Sequence, residues 1–336
     1  ETEQMHHHKK KKSPKQQQDG LEADGINGFK IWVMDRKTGQ TFEEKIARAL
    51  KVSMRLMYRH EGGLKIKAMS SEAEALKKML SHLTIQQGEH YNSPHSKAEI
   101  ASFIKYHNLN VDEILEPLES FATYNEFFFR KLKPGARPID VSEVVSPADC
   151  CMTVFPTVSD AMRLWIKGSA FTLKSLLQND EMAARYDQGT VVIARLSPQD
   201  YHRFHCPISG TLSGEQRLIN GEYYTVNPIA VREDLNVYGE NKRMVTEIIP
   251  DNIGQLGSHV CYICVGATCV GGITFTVQCN QHLNKGDELG FFAFGGSTVV
   301  LLFEPNKIKL DGDLLANSSK PIETLVHVGN SIANPL

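Results

Sequence analysis

The chain has 336 residues, 41% of them apolar, and a formal charge of −2. That is enough to bury one large core or two ordinary ones, and the near-neutral balance excludes a global attraction to nucleic acid or to anionic membranes, leaving only local clusters for such contacts. No run is apolar for long enough to span a bilayer and no secretory apolar region stands near the start, while Glu1 is not an initiator, so the sequence is expected to be a piece of a longer precursor.

Residues 1–27 are polar, with His6-His7-His8, Lys9 to Lys12 and Gln16-Gln17-Gln18, and are expected to be a disordered tail. Phe29-Lys30-Ile31-Trp32-Val33 predicts a short strand where folded structure begins, ending in a polar turn around Asp35 to Gln40. Thr41-Phe42-Glu43-Glu44 has capping-box spacing and predicts a helix start. Beyond it, Ile46, Leu50, Met54 and Met57 repeat at helical spacing, with Lys45, Arg48, Lys51, Arg55 and Arg59 as a basic stripe on the other side. That composition suits a helix lying on a membrane surface, and equally an ordinary domain helix with a solvated cationic face. Further helices are predicted over 71–83, 97–107 and 111–115. The stretch Asn125 to Gly135 closes the helical part with a Pro134-Gly135 signal, giving an N-terminal helical, membrane-facing region over 28–140.

From Val144 onward, short runs rich in Val, Ile, Thr, Tyr and Phe alternate with Gly, Asn, Asp and Pro turns, interrupted by one helical insertion near 172–177. The expected fold is α+β, with a helical N-terminal layer on an antiparallel, sandwich- or barrel-like β core over 141–336. The seven cysteines are scattered through apolar surroundings and do not suggest a disulfide framework. Cys261-x-x-Cys264 with His259 is half of a zinc pattern, but it lies in an alternating strand-like run with no second pair, so these read as buried small apolar residues and no metal is expected.

Three segments of the β-rich part carry chemistry. Ser146-Pro147-Ala148-Asp149 places a carboxylate at a strand-side turn. Leu196 to Pro207 holds His202 and His205 three residues apart, among Asp200, Tyr201 and Arg203, in a segment whose bracketing prolines disfavour a long helix. Gly295-Gly296-Ser297-Thr298 stands between the apolar runs Leu289 to Phe294 and Val299 to Phe303. Two glycines and a serine there fit a bulge or a tight turn. They also fit a backbone that cuts itself: the Ser297 hydroxyl adds to the Gly296 carbonyl, the peptide becomes an ester, and elimination with hydrolysis leaves a pyruvoyl group, a built-in electron sink. Asp149, His205 and Ser297 together would form a triad, although sequence spacing does not establish that they meet.

Taken together, the Asn125 to Ile139 stretch, Ser146 to Asp149, Asp200-Tyr201-His202-Arg203-Phe204-His205-Cys206-Pro207 and Phe294 to Val300 resemble the phosphatidylserine decarboxylases, a pyruvoyl-dependent family, over most of the chain from Phe29. The resemblance implies cleavage between Gly296 and Ser297 into a β chain (1–296) and an α chain (297–336) that stay associated, with Ser297 as precursor of the covalent pyruvoyl cofactor. It implies a self-processing triad of Asp149, His205 and Ser297, and assigns His202 mainly to decarboxylation. The substrate amine would form a Schiff base with the ketone, CO₂ would leave, and protonation and hydrolysis would release phosphatidylethanolamine.

Gly295 stands where many members have Leu, as in the fungal and plant subtype found on endomembranes, which implies a peripheral protein on the cytosolic side of Golgi, endosome, vacuole or ER membranes. Cys150 and Cys151 follow the aspartate where many bacterial members have Gly. An upstream lipid-binding domain, often carried by that subtype, is not seen in this fragment. Phosphatidylserine and an anionic membrane surface are the implied partners, with Lys45, Arg48, Lys51, Arg55 and Arg59 as contact candidates; a homodimer is compatible with all of this. The stretch Gly221 to Pro228 is a candidate pocket lining. Two other classes stay open: a serine hydrolase using Asp149, His205 and Ser297 without cutting itself, which would lack the Gly-x-Ser-x-Gly elbow, and a non-catalytic membrane-surface binding module.

Overall fold

The computed structural model describes residues 23–24, 28–29, 31–44, 71–164, 166, 171–226, 228–231, 236–267, 272–295, 297–320 and 322–336. The tail expected over 1–27 lies outside them except for Ala23–Asp24, which pairs with Gly28–Phe29. The basic stripe of Lys45, Arg48, Lys51, Arg55 and Arg59 lies outside them entirely.

Alternating apolar residues build a ten-stranded sheet. Its spatial order is His282–Leu283, Gly210–Ile219, Arg243–Pro250, Val260–Gly266, Ser297–Phe303, Thr190–Leu196, Cys150–Phe155, Glu323–Val326, Trp32–Asp35 and Thr41–Glu43. Neighbours are antiparallel except Glu323–Val326 beside Trp32–Asp35, which run parallel. The fold is thus α+β with large antiparallel sheets, and the sheet stays open rather than closing into a barrel.

Because successive side chains point to opposite faces, the central strands feed two separate cores. Val300 and Leu302, Val191 and Ile193, Cys261, Ile263 and Val265 fill one. Val299, Leu301 and Phe303, Val192, Ala194 and Leu196, Tyr262 and Cys264 fill the other. The first core is covered by helices including Val158–Leu164, Leu173–Leu177 and Asp180–Arg185. The second is covered by two three-stranded sheets, one of Ile273–Phe275, Glu288–Phe292 and Arg203–His205, the other of Ile308–Leu310, Ser331–Pro335 and Val144–Val145. Cys261 and Cys264, three residues apart on one strand, therefore sit in different cores and do not face a common ligand.

Three expectations need correction. Thr41–Glu43 is an edge strand, not a helix start, because pairing with Trp32–Asp35 outweighs the capping-box pattern. The single insertion near 172–177 is one of several helices in this part of the chain; Thr172 and Ser175 cap it reciprocally. The strand pairing also crosses the boundary expected at residue 140, since Trp32–Asp35 and Thr41–Glu43 extend the main sheet. The described N-terminal helices include Ser71–Asn92, Ile100–His107 and Tyr124–Phe128. They gather an aromatic cluster of Phe121, Tyr124, Phe127 and Phe128 against Phe294, just before the glycine pair. Among the described residues no helix is long and apolar enough to cross a membrane.

Candidate active site

Ser297 is the first residue of the central strand Ser297–Phe303 and is fully buried. It is paired across to Gly266 on one side and Leu196 on the other, so it is anchored from both flanks. The approach to it is held by Asn125, whose side-chain oxygen accepts the Phe294 N–H at 2.8 Å. Gly295 has φ +137°, a conformation that L side chains rarely adopt and glycine accepts. Gly296 lies outside the described residues.

The imidazole beside Ser297 is that of His202, with Nδ1 3.4 Å from Ser297 Oγ. Phe128 stacks on the ring at 3.9 Å between centroids, and the other nitrogen, Nε2, lies 3.0 Å from the Ser197 carbonyl oxygen. A carbonyl oxygen cannot donate, so Nε2 carries the proton and Nδ1 presents its lone pair to the serine. Burial, helped by the nearby Arg130 charge, pushes His202 down to about 3, so the ring is neutral at neutral pH.

His205 has other partners. Its Nδ1 is 2.9 Å from the Gly286 carbonyl oxygen and its Nε2 3.2 Å from the Tyr201 hydroxyl. Burial lowers its pKa. Its backbone N–H donates to Pro147 O at 2.7 Å, tying the histidine segment to the Ser146–Asp149 turn. Asp149 is buried and gripped by Arg137, through Nε and Nη2 at 2.7–3.0 Å, while the Val328 N–H donates to Oδ1 at 2.8 Å and His327 Nδ1 lies 3.3 Å from Oδ2. Burial alone would raise Asp149, but these donors and the guanidinium charge outweigh it and hold the carboxyl well below its usual range. The structure therefore brings Ser297 together with His202. It leaves His205, at the end of the Arg203–His205 strand, and Asp149, in an adjoining turn, each occupied by partners outside the expected triad.

A family model described as phosphatidylserine decarboxylase matches residues 124–334, which include all of these side chains. The chain belongs to the phosphatidylserine decarboxylase family. It is 44% identical to phosphatidylserine decarboxylase proenzyme 2 of Komagataella phaffii over 92% of its own length and 30% of that protein. It is 44% identical to proenzyme 2 of Oryza sativa subsp. japonica over 92% of this chain and 49% of the rice protein. It is 37% identical to the phosphatidylserine decarboxylase proenzyme of Fusobacterium nucleatum over 92% of this chain and 99% of that protein. The chain thus spans about a third of the length of the fungal relatives it matches and nearly all of the bacterial one.

Several residues of the site are invisible to motif reading. Arg195 is buried and holds Glu323 through Nε at 2.9 Å and Glu44 through Nη2 at 2.9 Å, and its Nη1 donates to Ser197 Oγ at 3.0 Å. One guanidinium faces two carboxyls: its charge keeps Glu44 low against burial, while burial wins at Glu323 and raises it. The alternation Val191, Ile193, Arg195 along one strand was the available signal, a charge on an otherwise apolar face. Glu44, Glu323, Arg137 and His327 give no comparable local sign. Of the stretch Gly221 to Pro228, Tyr224 and Val226 are buried in the helix-covered core with Val300, on the face opposite Val299; Asn227 lies outside the described residues.

Proposed function

We propose that the chain cuts its own backbone between Gly296 and Ser297 and then converts phosphatidylserine to phosphatidylethanolamine and CO₂ at the new α-chain terminus. The observation that carries this reading is the buried Ser297 hydroxyl, aimed at a neutral imidazole nitrogen 3.4 Å away, at the start of a doubly paired strand. Ser297 Oγ adds to the Gly296 carbonyl carbon as its proton passes to the imidazole, the C–N bond breaks, and the nitrogen recovers a proton, leaving an ester. Removal of the Ser297 Cα proton then expels the Gly296 carboxylate, and water replaces the nitrogen as ammonia to leave a ketone.

The site fits that group: residue 297 stays anchored by both neighbouring strands after the cut, in a buried position that restricts bulk water. A pyruvoyl group there supplies an electron sink for the electrons left when a carboxylate departs as CO₂. His202, hydrogen-bonded to Ser297 through Nδ1, is placed to take up a proton there and pass it to the carbon that CO₂ leaves. The same pairing to strands on both sides supports continued association of the two chains. No metal is required by any step.

The resemblance assigns cutting to Asp149, His205 and Ser297 and decarboxylation to His202; the Ser297–His202 contact favours His202 as acceptor of the Ser297 proton as well. Comparing His202→Ala with His205→Ala by denaturing gel and by CO₂ release from carboxyl-labelled phosphatidylserine separates the two. An uncut His202→Ala chain beside a cut His205→Ala chain is the result the contact predicts. A cut but inactive His202→Ala chain beside an uncut His205→Ala chain restores the division implied by the resemblance. Cut wild-type chains that release no CO₂ from phosphatidylserine would rule out the proposed substrate.

We further propose a peripheral enzyme on the cytosolic side of endomembranes, docked on anionic lipid through Lys45, Arg48, Lys51, Arg55 and Arg59, and compatible with a homodimer. Unchanged binding to phosphatidylserine-containing liposomes after charge reversal at all five positions would overturn the docking role.

A further inference from the structure

The Ser197 carbonyl that accepts the His202 Nε2–H is itself held by an unusual amount of buried charge. Ser197 donates its N–H to the Asp200 carboxylate at 2.7 Å, and its carbonyl also accepts the Asp200 N–H at 2.9 Å, so a tight turn presents that oxygen to the imidazole. A carbonyl has two lone pairs and serves both donors. The Ser197 hydroxyl donates to Glu44 Oε1 and accepts from Arg195 Nη1. Arg195 is in turn forked between Glu44 and Glu323. Three regions far apart in the chain converge here: the residue following the Thr41–Glu43 strand, the end of the Thr190–Leu196 strand, and the start of the Glu323–Val326 strand.

Stability does not account for this arrangement. Burying two carboxyls against one guanidinium is costly to desolvate, and well-packed apolar side chains are often as stabilising. The strand pairings here also run through backbone groups and do not need the cluster. What the cluster does fix is the position of Ser197, and Ser197 decides which nitrogen of His202 is protonated and where the ring points.

We infer that Glu44 and Arg195 are positioning residues that set the tautomer and aim of His202 through Ser197, so that the reacting pair is assembled only when Glu44 is docked on Arg195. This deepens the reading of Ser297 and His202 given above and rests on it. Side-chain hydrogen bonds of Glu44 and Arg195 run to each other, to Glu323 and to Ser197, so each acts through the Ser197 turn.

Nitrogen-15 NMR of histidine-labelled protein tests this in the uncut Ser297→Ala chain, with the His202 signal assigned by its loss in His202→Gln. The parent shows a single, Nε2-protonated tautomer. Glu44→Ala gives a mixture in which the Nδ1-protonated form is comparably populated, and Glu44→Gln, whose amide oxygen still accepts the Ser197 hydroxyl, keeps the single form. Val33→Ala, a buried change on the strand that pairs with Glu323, leaves the tautomer alone. With Ser297 restored, Glu44→Ala slows cutting about tenfold or more, as small misplacements of reacting groups do. A single Nε2-protonated form in Glu44→Ala, or the same mixture in Val33→Ala, overturns the inference. Should Glu44→Ala fail to fold, Arg195→Lys, which keeps the charge and loses the fork, is read the same way: a mixture supports the inference and an unchanged tautomer overturns it. Because tautomer state needs neither cutting nor decarboxylation, this result is distinguishable from failure of the proposed function.

Discussion

Asp149 is buried and Asp200 half-buried; the two lie in neighbouring loops close to His202 and influence each other's charge, yet their surroundings drive them in opposite directions. Asp149 meets a two-pronged guanidinium, an imidazole and a backbone N–H, and stays ionised. Asp200 receives the Ser197 N–H, which favours its charged form, but burial prevails and raises it to about 8. Between these two carboxyls the difference lies in the directly paired guanidinium that Asp149 has. One loop is therefore an electrostatic lock, and the other a turn held mainly by hydrogen bonds.

The largest effect is expected from breaking the lock. Asp149→Ala leaves Arg137 without its main partner and should cost about 3–5 kcal/mol, read by urea unfolding of the uncut Ser297→Ala chain at neutral pH. Adding Arg137→Met should recover much of that loss; a loss as large in the double variant as in the single one would show that the pair is not the cause.

The second effect sharpens the contrast through pH. A carboxyl raised on folding contributes stability that is full below its unfolded value, about 3.9, and lost as pH rises through its folded value of about 8. Asp200→Asn should therefore flatten the decline of melting temperature across that window. Asp149, shifted the other way, contributes above the ordinary carboxylate range and loses its contribution only as pH falls through its lowered value. An unchanged pH profile in Asp200→Asn would mean that this side chain does not titrate as its burial implies.

The smallest effect belongs to His327, which is half-exposed and raised by its hydrogen bond to Asp149. Its contribution is present below the ordinary histidine value of about 6.5 and fades as pH rises through the folded value. His327→Gln should cost no more than about 1 kcal/mol at pH 6, and less at pH 9.

The β-rich half was legible because short apolar runs such as Val260–Gly266 and Ser297–Phe303, bounded by turn residues, are the pattern of strands buried on both faces, and every residue of these two is buried. Thr41–Glu43 misled because a capping pattern is local, while a sheet partner at Trp32–Asp35 is not. The histidine segment and the serine were visible as chemistry-bearing residues, but not their pairing. His202 leans on a turn at Ser197 and Asp200 that meets Glu44 and Arg195, which lie 151 residues apart and give no local sign of meeting. Asp149 likewise announces a carboxylate, while the Arg137 and His327 that occupy it come from separate loops.

Everything proposed for this site begins with the backbone cutting itself at Ser297. Intact-mass spectrometry under denaturing, reducing conditions, beside a Ser297→Ala variant, tests it most directly. Self-cutting gives two fragments divided between residues 296 and 297, the smaller lighter by one ammonia than a serine-initiated chain, and a single full-length mass for the variant. A single full-length mass for the unaltered chain, or two fragments from Ser297→Ala, would contradict it.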